Sequence, residues 1–312
     1  MIEKIIKYQG EILHLLNDES VFYLLGKQNN SLYFTCFDDN FNIILNKNIG
    51  LDINLEIQPL ITDSYIYIYD TENSIYVLDK FSGTLASVIN LGMMTSIQGQ
   101  YQDENYLYTV CKVPISDVEK RRNAFEFNIS KINKFQNKKE LQSCSFSTPL
   151  SNLYVYNNLL YIQTKENVYV FNKDLKKINT IPLNWQKNCF VFETCVISEN
   201  GILLDFKEPK RYFIHPNILH IKQKEQLLKV ITKDKEINYD LTEKKEVYSK
   251  ELFIEKVLYN NDDFYIFNKK NSSILIHNNQ EFNHQHVILK AAKRNNIVIT
   301  FDESRSLIKW HF

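Results

Sequence analysis

The sequence predicts an all-β fold, a single β-propeller domain spanning residues 1–312. Three observations predict it. A hairpin followed by a third strand recurs along the whole chain; the strongest strand of that unit returns at an interval close to the roughly 40 to 50 residues of a four-stranded blade; and the strands are apolar on both faces, as expected where a neighbour covers each side.

The chain opens with "IEKIIKY", residues 2–8, a strand with no hairpin partner of its own. Two complete units follow. In residues 19–50 and 63–92, "SVFYLL" matches "SYIYIY", "NSLYF" matches "NSIYV", and "NIILNKNIG" matches "LASVINLG". Asn, Asp and Ser supply the turns; Gly is scarce, and Asn and Asp tolerate positive φ next best. The leading strand recurs as "YLYTVC" from Tyr106, "LLYIQT" from Leu159, "ILLDF" from Ile202, "FYIFN" from Phe264 and "IVITF" from Ile297. With Phe22 and Tyr65 these make seven anchors, spaced 43, 41, 53, 43, 62 and 33 residues, which predicts seven four-stranded blades. Repeats four to six are irregular enough that six or eight blades stay open. The C-terminal stretch "LKAAKRNNIVITFDESRSLIKWHF" holds three strands, so residues 2–8 are expected to close the ring by pairing with "LIKWHF", because an open last blade exposes a ladder edge. Tyr packs at blade seams with its hydroxyl free to find a partner, which fits 19 Tyr and 20 Phe in one chain.

The stretch "YIYIYDTENSIYVLDKFSG" resembles the PQQ-like and WD40-like propeller repeats, clearly over residues 19–92 and again over 149–181. The resemblance implies a propeller. The chain departs from the quinoprotein pattern in lacking a regular tryptophan, having only Trp185 and Trp310, so the resemblance carries over no cofactor and no cofactor residues.

Composition narrows the function classes. Lys plus Arg and Asp plus Glu both number 37, which removes the basic excess expected of a nucleic-acid binder. No segment approaches 18 consecutive apolar residues and the N-terminus does not read as a secretory signal, so a cytoplasmic protein off the membrane is expected. Cys36, Cys111, Cys144, Cys189 and Cys195 match no zinc or redox spacing and read as reduced, mostly buried thiols. His284 and His286 stand at i, i+2 in "HNNQEFNHQHV", near His277, a spacing that can share a metal, but only Glu281 offers a further ligand, and no metal site is expected. No phosphate loop, HExxH, CxxC or GxSxG motif occurs, and no catalytic residue is assigned.

Two stretches read as basic inserts on one face of the disc: residues 112–124, with Lys112, Lys120, Arg121 and Arg122, and the stretch after Phe206, with Lys207, Lys210 and Arg211 beside Tyr212 and Phe213. Arg and aromatic residues are the usual anchors of an interface, so these nine residues form a candidate site for an acidic protein partner. The plainer alternative is that they keep long loops soluble. The run at 233–251 alternates charge and reads as an outer blade edge guarded against strand addition. The expected function is a non-enzymatic protein-binding propeller, an immunity protein that covers a toxin or an adaptor in a complex. The alternative is an enzyme or small-ligand binder using the central channel, with Thr62, Asp63, Glu193 and Thr194 as its inner-strand candidates.

Overall fold

The computed structural model describes residues 2–29, 31–50, 59–69, 74–91, 96–103, 105–113, 125–134, 139–146, 150–156, 159–183, 189–192, 194–205, 210–260, 264–278 and 280–312. Among these residues lie eight four-stranded antiparallel sheets. The chain divides into two compact units, residues 1–89 with 253–312, and residues 90–252.

The first unit holds four blades. Blade 1 runs β2 (Glu11–Asn17), β3 (Phe22–Gln28), β4 (Ser31–Phe37), β5 (Ile43–Asn48), and blade 2 runs β6 (Leu60–Ile61), β7 (Tyr65–Tyr69), β8 (Ser74–Asp79), β9 (Leu85–Asn90). Blade 7 runs β26 (Lys256–Asn260), β27 (Phe264–Asn268), β28 (Ser273–His277), β29 (Gln280–His284). Blade 8 takes β30 (Ile288–Arg294), β31 (Ile297–Asp302) and β32 (Ser306–His311) from the end of the chain and β1 (Ile2–Lys7) from its start. As the sequence predicts, β1 pairs antiparallel with β32, Ile5 opposite Ile308 and Lys7 opposite Ser306.

The second unit holds blade 3, with β10 (Ser96–Gln102), β11 (Tyr106–Val113), β12 (Phe125–Asn133) and β13 (Lys139–Phe146), and blade 4, with β14 (Leu150–Tyr156), β15 (Leu159–Thr164), β16 (Asn167–Phe171) and β17 (Lys177–Pro182). Blade 5 follows, with β18 (Cys189–Val191), β19 (Cys195–Ser198), β20 (Ile202–Asp205) and β21 (Arg211–Phe213). Blade 6 is β22 (Ile218–Lys224), β23 (Leu227–Thr232), β24 (Lys235–Asp240) and β25 (Lys245–Glu251).

Eight blades correct the expected seven, and the correction falls in the 62-residue gap between Ile202 and Phe264. Ile202 opens not a second strand but the third strand of blade 5, whose strands are only three or four residues long. Such short strands leave room for a whole further blade in what read as one interval. "LLKVIT" at Leu227 is the missed anchor. Of the charged run at 233–251, only β25 is exposed throughout as an outer edge; β24 buries Ile237 and Tyr239.

Adjacent blades bury shared apolar seams, such as Leu25, Phe34, Ile66 and Leu78 between blades 1 and 2, and Val110, Phe127, Ile162 and Phe171 between blades 3 and 4. The innermost strands carry a repeated bulge that places one extra residue against the second strand. It falls at Ile12/His14, Ile97/Gly99, Leu150/Asn152, Ile218/His220, Val257/Tyr259 and Ile288/Lys290. Four outer strands are bulged too, at Glu3, Ile44, Ile178 and Val247. Outer bulges twist a free edge away from strand addition.

The turn between third and fourth strands is a second repeat. Asp38, Asp79, Asn172 and Asp240 each accept two backbone N–H bonds inside it. It ends in a positive-φ residue: Phe41 (62°), Gly83 (61°), Leu175 (58°) or Lys244 (54°). Bulky residues accept this strain of about 1–2 kcal/mol because their side chains fasten the preceding blade. Leu175 is buried in the seam with blade 3, and Lys244 meets the Asp205 carboxylate of blade 5. In blade 2 the backbone itself comes so close that a Cβ on Gly83 would lie 2.9 Å from the Phe34 ring of blade 1.

Candidate partner-binding site

Lys120, Arg121, Arg122 and Lys207 lie outside the described residues. Lys112 is half-buried on β11, opposite Ser96 and Phe127, at the end of the second strand of its blade. Lys210, Arg211, Tyr212 and Phe213 belong to the approach to β21 and to β21 itself, the fourth strand of blade 5. The stretch after Phe206 is therefore a connection between third and fourth strands followed by an edge strand, not an insert between second and third. The two basic stretches thus belong to different connections of their blades, second-to-third in blade 3 and third-to-fourth in blade 5.

What remains together is Lys210 to Phe213. Lys210, Arg211 and Phe213 are exposed, Phe213 at 65%. Arg211 and Phe213 stand two residues apart on a strand and so project to one side, while Tyr212 projects to the other. Tyr212 packs with Ile197, Leu203, Leu228 and Tyr239 in the seam between blades 5 and 6. Lys244 sits 5.4 Å above its ring while bonding the Asp205 carboxylate. Burial, with the neighbouring Tyr212 and Cys195, pushes the Tyr239 hydroxyl up to about 12. The half-buried Tyr212 thus fixes the strand that presents the exposed Arg and Phe. Asp205 and Lys244 went unseen in the sequence; their signal is the turn series "FDDNFN", "LDKFSG", "FNKDLK" and "YDLTEK", in which Phe41, Leu175 and Lys244 stand at the positive-φ position that Gly83 takes in blade 2.

Of the inner-strand candidates, Thr62 and Asp63 belong to the first unit and Thr194 to the second. Thr62 closes the β6–β7 turn, its Oγ1 donating to the Tyr65 carbonyl and accepting from the Tyr65 N–H, both at 3.1 Å. Thr194 lies in the β18–β19 turn, and Glu193 lies outside the described residues. A cavity of about 790 Å³ opens between β2 and β30, with Glu11, Lys290, Glu303 and Arg305 on its walls. Burial and the charge of Lys256 lower the Lys290 ammonium below its ordinary value, against a smaller opposing effect of Glu11.

Of the histidine pair, His284 at the end of blade 7 ties that blade to blade 8. His284 Nε2 lies 2.9 Å from Asp302 Oδ2, and its ring meets Trp310 edge-on at 5.6 Å, while Trp310 Nε1 donates to Thr300 Oγ1 at 2.9 Å. Burial alone would raise the Asp302 carboxyl, but hydrogen bonds from Ser304, the Ser306 N–H and His284 outweigh it and hold it below its ordinary value. His286 faces Glu303 at 3.7 Å, and the His277 ring lies tilted against Phe312 at 5.0 Å. Among the described residues no group of three or more His, Cys, Asp and Glu is arranged to hold a metal. None of the five cysteines forms a disulfide, and burial pushes Cys36 up to about 11 and Cys144, Cys189 and Cys195 up to about 12, leaving these four protonated at neutral pH. No helix among the described residues is long and apolar enough to cross a membrane.

No protein-family model and no curated protein matches the sequence. Solved structures do match. The C-terminal WD40 domain of Sif2 superposes with a TM-score of 0.66 at 10% identity, covering 100% of this chain and 99% of that one. Sqt1 of Saccharomyces cerevisiae gives 0.64 at 11% identity, covering 99% and 98%. The computationally designed protein Ika8 gives 0.65 at 10% identity, covering 98% of each chain. At such low identity the likeness shows the fold alone, a WD40-like β-propeller of four-stranded blades.

Proposed function

We propose that this protein is a non-enzymatic binding platform whose eight blades form one ring, fastened by β1 on β32, and that it engages a protein partner through the edge of blade 5. The observation that carries this reading is the pair Arg211 and Phe213, exposed side by side on an edge strand that Tyr212 and Lys244 hold rigid. Hot spots are enriched in Arg and aromatic residues, and a rigid strand loses little entropy on docking. Lys210 adds positive charge at the same point, which favours an acidic partner surface. Neutralisation of a toxin by an immunity protein and assembly of a cytoplasmic complex both need such a surface.

A second reading, small-ligand binding, rests on the cavity between β2 and β30 and on its depressed lysine, since perturbed groups in clefts mark binding sites. One experiment separates the two. A partner captured from the native host is lost to an Arg211→Glu, Phe213→Ala variant that melts like the wild type, and is retained by Lys290→Met. The reverse pattern moves the function to the cavity.

A further inference from the structure

A groove of about 380 Å³ lies between blades 3 and 4 on their outer strands. Its floor is apolar and deeply buried: Phe146 from β13, Tyr169 and Phe171 from β16, and Leu175 from the following turn. The Phe146 and Tyr169 rings are 4.5 Å apart and tilted by 37°, so the floor is a fixed aromatic surface. Its lip carries Lys176 and Lys177, both exposed, with the Lys177 ammonium 5.7 Å from the Tyr169 ring centroid. Among the described residues no carboxylate lines the groove or pairs with either ammonium. The other polar groups at the lip are already satisfied: Gln142 donates to the Ser143 carbonyl at 3.0 Å and Ser143 to Asn128 at 2.8 Å. Cys144 also lines it, but its thiol, pushed up to about 12 by burial, is not a nucleophile.

An apolar, aromatic floor beneath two cations that meet no carboxylate among the described residues has a defined complement. In other turns between blades lysines are spent on carboxylates, Lys80 on Asp18 and Lys244 on Asp205. We infer that this groove is a docking site for an extended protein segment in which bulky apolar residues alternate with aspartate or glutamate, an apolar side chain seated on Tyr169 and Phe146 and a carboxylate against Lys176 and Lys177. The volume admits one large side chain or two smaller ones, so a short linear segment suffices. The inference rests on the protein-binding reading only in taking the ligand from a protein, and it adds a site distinct from the blade 5 edge.

The test uses a fluorescein-labelled, end-capped octapeptide alternating aspartate with phenylalanine and leucine, and a twin with lysine in place of aspartate, titrated into the full-length protein by anisotropy. Saturable binding of the acidic peptide alone is expected, weakened at least about tenfold by Lys176→Glu with Lys177→Glu, since reversing two contacts exceeds the 1.4 kcal/mol that a factor of ten represents. Lys173→Glu, in the same turn but outside the groove, is expected to bind within twofold of the wild type. Lys176→Glu alone, exposed and clear of the Tyr169 ring, keeps the test valid if the double variant misfolds. Absence of saturable binding, equal binding of the lysine twin, or equal loss in Lys173→Glu overturns the inference. A captured host partner indifferent to Lys176 and Lys177 also overturns this site while leaving the protein-binding reading intact, whereas peptide binding with no captured partner does the converse.

Discussion

Replacement of Asp18 by Ala lowers the unfolding free energy by about 3–5 kcal/mol, the usual cost of removing one partner from a largely buried ion pair. Asp18 accepts from the backbone N–H groups of Ser20 at 2.8 Å and Val21 at 3.0 Å, from the Tyr23 hydroxyl at 2.6 Å, and from Lys80 of the next blade at 2.7 Å. One side chain thus shapes the β2–β3 turn and ties blade 2 to blade 1. In the variant the buried Lys80 ammonium is left uncompensated. Burial alone would raise the Asp18 carboxyl, but Lys80, Tyr23 and the two N–H groups outweigh it and hold it well below the ordinary carboxylate range. Because the folded value lies below the unfolded one, near 3.9, this stability is complete above about pH 4 and is lost as pH falls through the folded value. Urea unfolding of the two proteins is therefore expected to differ by a constant amount from pH 7 to pH 5 and to converge in stronger acid. A gap that persists undiminished at pH 2 would show that the carboxylate charge contributes nothing.

Deletion of residues 2–8 is expected to have an effect of the same order by a different route. It removes β1, unpairs the β32 edge, takes Ile6 and Tyr8 from the seam between blades 8 and 1, and strips Lys309 of Glu3 at 2.8 Å. The Tyr8 ring also leaves Phe301, which it meets edge-on at 6.5 Å. A fall in melting temperature of more than about 10 °C, with concentration-dependent aggregation through the bare edge, is the expected outcome. Unchanged melting and solubility would mean that β1 does not fasten the fold.

The fold was legible wherever a blade is long and regular. Phe22, Tyr65, Tyr106, Leu159, Phe264 and Ile297 do open second strands, because the buried middle of a blade must be an unbroken apolar run, and such runs stand out. Blade 5 hid its neighbour because its strands are too short for that signal. A different signal was present. "ILH" occurs at 12–14 and again at 218–220, with "ILK" at 288–290, and all three mark the inner-strand bulge that begins a blade. Likewise "DESVFY" at Asp18 and "DENYLY" at Asp103 place a turn-forming aspartate five residues before the tyrosine that bonds it. The candidate site was legible in its residue types and not in its placement. Arg211 and Phe213 were found by chemistry, but whether a connection follows a second or a third strand depends on strand count, which a 25-residue blade conceals.

The most direct test of the blade 5 interface is hydrogen exchange on the purified complex with the captured partner. The account predicts slowed exchange at residues 210–213 and in the adjoining turn at Lys244, with the walls of the β2 and β30 cavity unchanged. Protection confined to Glu11, Ile12 and Lys290, with 210–213 exchanging as in the free protein, would contradict it.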